Sequence, residues 1–366
     1  DAVAEVVALL AQARRPLIVA GRGAVLAGAG ELLQQLADRT GALLATSAQA
    51  KGLFSDSPWD LGIMGGFSSP TAARLIGQAD LVLTFGASLN MWTTRHGRLF
   101  APEAVIVQVD DEPQAFGKHY RVDVAVAGDV AATAAALLAE IDSRGLEPAP
   151  QRTPDLQELI HNGRWQRAAY EAADTDSHID PRTLSIALNE MLPPDRAVAI
   201  DSGHFMGYPA MYLDVPDAQG FVFTQGFQSV GLGLASAIGA AVAMPDRLTV
   251  AALGDGGAFM GAADLETVVR LGLRMLIVIY NDAAYGAEVH HFGPHGAPLD
   301  LVRFPDFDFA ALGRAVGMAA ATVRRREDLA AVQDWVEQGA QGAMLVDAKV
   351  NPTVAAGWLT EAFKGH

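Results

Sequence analysis

The sequence predicts an α/β protein made of two doubly wound parallel-sheet domains joined by a Pro-rich wrapping linker. Three observations predict it. Short apolar runs alternate with helical stretches twice over, in residues 1–143 and 181–366, the pattern of helices layered on a parallel sheet. Residues 144–180 carry Pro148, Pro150 and Pro154, a polar helix with Trp165, and then Asp174-Thr175-Asp176-Ser177, a composition that suits a connector. The chain is 366 residues long and 51% hydrophobic, enough for two buried cores.

In the first half, Arg15-Pro16 opens a strand at 17–20 that ends in Gly21-Arg22-Gly23. A helix at 29–40, a strand at 43–46, a long loop at 51–67 and a helix at 70–78 follow. Strands at 81–85 and 105–109 end at Gly86 and Asp110, 122–125 reads as a short edge, and helix 130–141 closes the unit. In the second half the expected strands are 197–200, 220–223, 248–253, 275–280 and 343–347. A Gly/Ala-rich stretch at 230–244 reads as a buried helix, and 261–271 as another.

A net charge of -16 argues against nucleic acid or an anionic membrane as partner. The chain has no cysteine, which excludes disulfides, thiol catalysis and Cys-ligated metals. No apolar run reaches transmembrane length without a charge or a breaker. The first residue is Asp1 and no signal-peptide pattern appears; the opening reads as part of a longer product.

The chemistry concentrates at Gly254-Asp255-Gly256, followed by 24 residues and then Asn281. Two parallel strands with a helix between them set Asp255 and Asn281 side by side at the carboxyl edge of a sheet, where open α/β sheets bind ligands. One anionic and one amide oxygen suit a small hard cation such as Mg²⁺, which is held by a few protein oxygens plus phosphate and water. Gly256 and Gly257 let the backbone approach a diphosphate closely, near a helix start. Glu288, His290 and His291 follow at the mouth of this site. The two histidines are adjacent, and adjacent residues on a helix diverge, which argues against a joint metal pair. Glu266 reads as structural and Asp347 as a turn or supporting residue. Gly21-Arg22-Gly23-Ala24-Val25-Leu26 has two glycines of a dinucleotide fingerprint, but Leu26 replaces the third, which argues against a nicotinamide site.

The spacing, together with Ala258-Phe259-Met260, Leu265-Glu266-Thr267 and Tyr285-Gly286, resembles the thiamin diphosphate (ThDP)-dependent 2-oxo acid decarboxylases and carboligases, in their acetolactate synthase-like branch. The first half resembles the family's central domain through Lys51-Gly52, Leu61-Gly62-Ile63-Met64-Gly65, Gly86-Ala87, Asp110-Asp111-Glu112-Pro113 and Gly128-Asp129. The second half resembles the diphosphate-binding domain. The resemblance implies Mg²⁺ ligation by the Asp255 and Asn281 side chains and the Ala283 carbonyl. It places His204, in Asp201-Ser202-Gly203-His204, at a polar phosphate contact, and Gly254, Gly256, Gly257, Tyr285 and Gly286 around the diphosphate, with Tyr285-Gly286 starting a helix or turn whose amides can reach phosphate. It gives the Gln228 carbonyl and Val230 amide to the aminopyrimidine, and makes the Val230 side chain the wedge that bends the cofactor. Glu288 and His291 are candidate substrate contacts. In acetolactate synthases the central domain binds a non-catalytic FAD. Here Ser88-Leu89-Asn90-Met91-Trp92 replaces the charged stretch found there, which argues against FAD.

The implied activity is decarboxylation or carboligation of a small 2-oxo acid, with the cofactor as electron sink. The implied assembly is a cytoplasmic homodimer or homotetramer. A third, pyrimidine-binding domain supplies the activating Glu in the family, and no residue here is a candidate for it. The alternatives are a catalytically incompetent nucleotide-binding or regulatory module of the same family, and a nicotinamide oxidoreductase.

Overall fold

The computed structural model describes residues 2–227 and 229–362. The chain divides between residues 168 and 169 into two compact units, each built on a six-stranded parallel sheet.

The first unit contains β1 (Pro16–Ala20), β2 (Leu43–Thr46), β3 (Asp60–Ile63), β4 (Leu81–Phe85), β5 (Val105–Asp110) and β6 (Val124–Ala127), in the order β3-β2-β1-β4-β5-β6. Successive residues of β1 face opposite ways. Ile18 and Ala20 join one core with Leu44, Leu83 and Phe85; Leu17 and Val19 join another with Ala45 and Val82. Burial on both faces is why these strands read as continuous apolar runs. Helix Val130–Arg144 starts where the Asp129 side chain accepts from the Ala132 N–H at 2.8 Å, and it ends at Gly145, whose φ of 60° lies in the left-handed region.

The second unit contains β7 (Arg196–Ile200), β8 (Phe221–Phe223), β9 (Leu248–Gly254), β10 (Met275–Asn281), β11 (Ala319–Val323) and β12 (Ala343–Lys349), in the order β11-β12-β10-β9-β7-β8. Helix Gly233–Ala243 lays Leu234, Ala237 and Ala241 on one face, against Ala199, Ala251 and Ile277. Helix Pro181–Met191, capped by Asp180, sends Ser185 Oγ to the Tyr280 hydroxyl at 2.8 Å.

Six expectations shift. The loop at 51–67 contains β3, a four-residue strand whose pairing with β2 is irregular and whose Gly62 has a φ of 75°. β11 was not expected, because Ala319-Ala320-Ala321 has neither the branched nor the aromatic residues that mark strands. The edge strand expected at 122–125 lies two residues later. The helix expected at 261–271 is a 3₁₀ turn, Ala262–Asp264, followed by a short α-helix, Leu265–Arg270, and a separate helix, Asp255–Met260, precedes them. Trp165 lies beyond its helix, Pro154–Asn162, and its Nε1 donates to the Phe67 carbonyl at 2.7 Å. Leu156 and Ile160 of that helix pack into the first unit's core, so this part of the expected linker is structural.

Candidate cofactor and metal site

The order of the second sheet creates the site. From β7 the chain moves outward to β8, then returns to place β9 on the other side of β7. The carboxyl tips of β7 and β9 therefore diverge, and ligands of open α/β sheets bind at such a switch point. A cavity of about 120 Å³ opens there. It is lined by residues after β7 (Ser202, Gly203, His204), by Val230, by the segment after β9 (Gly254, Asp255, Gly256, Gly257) and by the segment after β10 (Asp282, Ala284, Tyr285, Gly286, Glu288).

Register brings Asp255 and Asn281 together. Ile279 pairs with Leu253 and Tyr280 with Gly254, so the two residues are the next step on adjacent strands. Each is only 3% exposed. Asp255 Oδ1 accepts from the Gly256 N–H at 2.8 Å, and Oδ2 from the Ala284 N–H at 3.0 Å. Asn281 Oδ1 accepts from the Ala283 N–H at 3.1 Å. Ala283 has a φ of 56°, a strained conformation for a residue with a Cβ, and its carbonyl accepts from the Phe304 N–H at 2.7 Å. One lone pair on that carbonyl remains for a further partner.

Burial pushes the Asp255 carboxyl up to about 7. Burial, and then the charge of Asp255, push Asp282 well above the carboxylate range. Among the described residues no lysine or arginine pairs with either carboxyl. Buried Asp255 and half-buried Asp282 thus stand close together with like charge, an arrangement that a divalent ion would relieve. Among the described residues no cluster of three His, Asp or Glu side chains has metal-holding geometry, so a cation here would need amide and carbonyl oxygens as well. Those are the donors Mg²⁺ accepts.

Glycine makes the cradle. A Cβ on Gly256 would sit 2.3 Å from the Tyr285 ring, one on Gly257 2.1 Å from Asp201 Oδ2, and one on Gly286 2.3 Å from Asp282 Oδ2. Asp201 is buried and ties the cavity's elements together: its carboxylate accepts from the Ser202 N–H at 2.8 Å and the Gly231 N–H at 3.0 Å. Those bonds hold the turn bearing Val230 against the glycines. Gln228 lies outside the described residues.

His204 is buried, and its Nε2 accepts from the Ala356 N–H at 2.8 Å. The proton therefore belongs on Nδ1, 3.3 Å from where a Cβ on Gly286 would be. Burial, then the neighbouring His290, lower its pKa to about 3, so the ring is neutral.

Two expectations change here. The Tyr285 N–H is taken by the Val302 carbonyl at 2.8 Å, so Tyr285 meets the cavity through its ring and not through its amide. His291 does not line the cavity; its ring packs against Phe292 and His295, with centroids at 4.6 and 6.0 Å. Its neighbour His290 turns the other way and stacks on His204 at 4.5 Å, because consecutive helical side chains point about 100° apart. Glu288 remains at the rim, exposed. Sequence reasoning passed over Asp282 and the bridging role of Asp201. A second acid directly behind Asn281 was the available signal for Asp282; nothing local in the sequence marked the bridge.

Fold and site together define an α/β protein whose second sheet carries, at its carboxyl edge, a glycine-lined cavity with buried oxygen donors beside it. Residues 3–137 match the family described as thiamine pyrophosphate enzyme, central domain, and residues 201–348 match the thiamine pyrophosphate enzyme C-terminal TPP binding domain. The two matches cover most of the chain, and it belongs to the thiamine pyrophosphate (ThDP) enzyme family. It is similar to an acetolactate synthase large subunit of Parasynechococcus marenigrum, at 31% identity over 90% of this chain and 54% of that protein. It is also similar to the acetolactate synthase large subunit of Porphyra purpurea, at 28% identity over 95% of this chain and 60% of that protein. A pyruvate oxidase of Lactiplantibacillus plantarum is 30% identical over 96% of this chain and 57% of its own length. The chain thus spans little more than half the length of these curated relatives. No helix among the described residues is long and apolar enough to cross a membrane.

Proposed function

We propose that this chain carries the metal–diphosphate half of a ThDP- and Mg²⁺-dependent active site that decarboxylates or ligates a small 2-oxo acid, as the names of its relatives suggest. The observation that carries the reading is the in-register meeting of Asp255 and Asn281 at the strand tips beside a glycine-lined cavity. Asp255, Asn281 and the Ala283 carbonyl would hold the cation. Gly256, Gly257 and Gly286 leave room for phosphate oxygens, and the neutral His204 offers an Nδ1–H donor. Val230 occupies the inner wall and limits how far a flat ring can settle. At about 120 Å³ the cavity is well below the roughly 300–1,000 Å³ of pockets that enclose whole organic ligands, so it suits one end of a cofactor. When bound, ThDP supplies the electron sink for cleavage next to a carbonyl. The group that activates it, a Glu in the family, is assigned to another domain or subunit of a cytoplasmic homo-oligomer.

The test is equilibrium binding of ThDP to the purified chain with and without Mg²⁺, for the native protein and Asp255→Ala. The native chain should bind ThDP only with Mg²⁺, and Asp255→Ala should lose that binding. Unchanged affinity in the variant would contradict the assignment.

A further inference from the structure

We propose that Asp347 is a positioning residue that decides which end of the Asn281 amide faces the cation. This rests on the metal–diphosphate reading above. A primary amide has two ends of similar size, an acceptor oxygen and a donor nitrogen, and only the neighbouring groups decide which way it turns. A carboxylate accepts and does not donate.

Asp347 lies on β12 and is 0% exposed. It pairs with Ile279 of β10, two residues before Asn281 and on the same face of the sheet. Its Oδ1 accepts from Asn281 Nδ2 at 2.9 Å, and the Phe307 carbonyl backs the same nitrogen at 3.4 Å. With the nitrogen pinned, Asn281 Oδ1 turns the other way and accepts from the Ala283 N–H, keeping a lone pair for a cation. A flipped amide would set its oxygen against the Asp347 carboxylate and its nitrogen against the Ala283 N–H. Both contacts would then be repulsive.

Asp347 is itself fixed. Its Oδ2 accepts from the Phe309 N–H at 3.1 Å and meets Lys349 Nζ at 3.0 Å. Lys349 is 4% exposed and also donates to the Phe307 carbonyl at 2.6 Å and to Asp306 at 2.5 Å. The ammonium balances the Asp347 charge. That separates Asp347 from Asp255 and Asp282, which have no such partner among the described residues. It makes Asp347 an orienting group and not a ligand.

Groups that orient metal ligands typically contribute about 10–100-fold to metal affinity. The experiment measures, by calorimetry on the whole chain, the Mg²⁺ concentration that gives half-maximal ThDP binding. In Asp347→Asn it should rise about 10–100-fold, with ThDP affinity regained at saturating Mg²⁺. The exchange variant Asn281→Asp with Asp347→Asn should bring the requirement back to within a few-fold of native. There a carboxylate presents oxygen at either end and the new amide can donate to it. An unchanged requirement in Asp347→Asn overturns the inference, as does a loss that saturating Mg²⁺ does not restore. If Asp347→Asn does not fold, the exchange variant decides alone: near-native supports the inference, and a requirement raised tenfold or more overturns it. Absence of Mg²⁺-dependent ThDP binding in the native chain would instead defeat the underlying metal–diphosphate reading, and this inference with it.

Discussion

His204 shows how much one buried side chain can say about a site. Its Nε2 is committed to the Ala356 N–H, and His290 and Tyr208 face its ring at centroid distances of 4.5 and 6.1 Å. Protonation would break the first contact and place a charge in a buried setting, which is why its pKa falls from 6.5 to about 3. Below about pH 6.5 the unfolded chain takes up a proton that the folded chain refuses. Stability from this residue is therefore complete above that value and is lost as the pH falls towards about 3. Each pH unit in that window costs about 1.4 kcal/mol, or about 2 kcal/mol by pH 5. Thermal melts at pH 7.5 and pH 5 should show a smaller acid-induced drop for His204→Gln than for the native chain. Equal drops would mean the ring does not carry this penalty. The motif position of His204 was legible in the sequence. Its tautomer was not, because the partner lies 152 residues away.

Among the elements, the short helix Asp255–Met260 departs most from local expectation. Gly256 and Gly257 have poor helix propensity and read as loop. They are glycines because no side chain fits where they lie, under the Tyr285 ring and against Asp201, and the segment is helical despite them. Asp201 in turn holds the Gly231 N–H, so the glycine pair, the β7 tip and the turn carrying Val230 form one packed unit. Gly257→Ala would drive a methyl to within 2.1 Å of Asp201 Oδ2. Overpacking of this kind costs about 1–3 kcal/mol. We expect a lower melting temperature and weaker ThDP binding; a variant with native values of both would show that the carboxylate moves freely. The same contrast explains which strands the sequence revealed. β1, β4, β9 and β10 are buried on both faces and appear as apolar runs, whereas β3 and β11 are sheet edges with weak patterns.

At the scale of the molecule, each unit has its own sheet and cores, and the proposed chemistry lies at one sheet edge of the second unit. The repeated βα pattern made both sheets legible, since parallel strands need helical crossovers. The Asp255–Asn281 spacing made the meeting of these two residues legible, since in-register neighbours at strand tips are a local consequence of that topology. The supporting residues were less so. Asp347 reaches Asn281 across 66 residues, and Asp201 reaches Gly231 across 30, and neither distance has a local signature. The central claim is that two oxygen donors on adjacent strand tips grip one divalent ion. Crystals of the chain grown with ThDP and Mn²⁺ in place of Mg²⁺ test it most directly. The expected result is a single anomalous peak between Asp255 and Asn281 at about 2.0–2.4 Å from their oxygens and the Ala283 carbonyl, with a diphosphate against it. A peak elsewhere in the molecule, or cofactor density with no metal between those two residues, would contradict it.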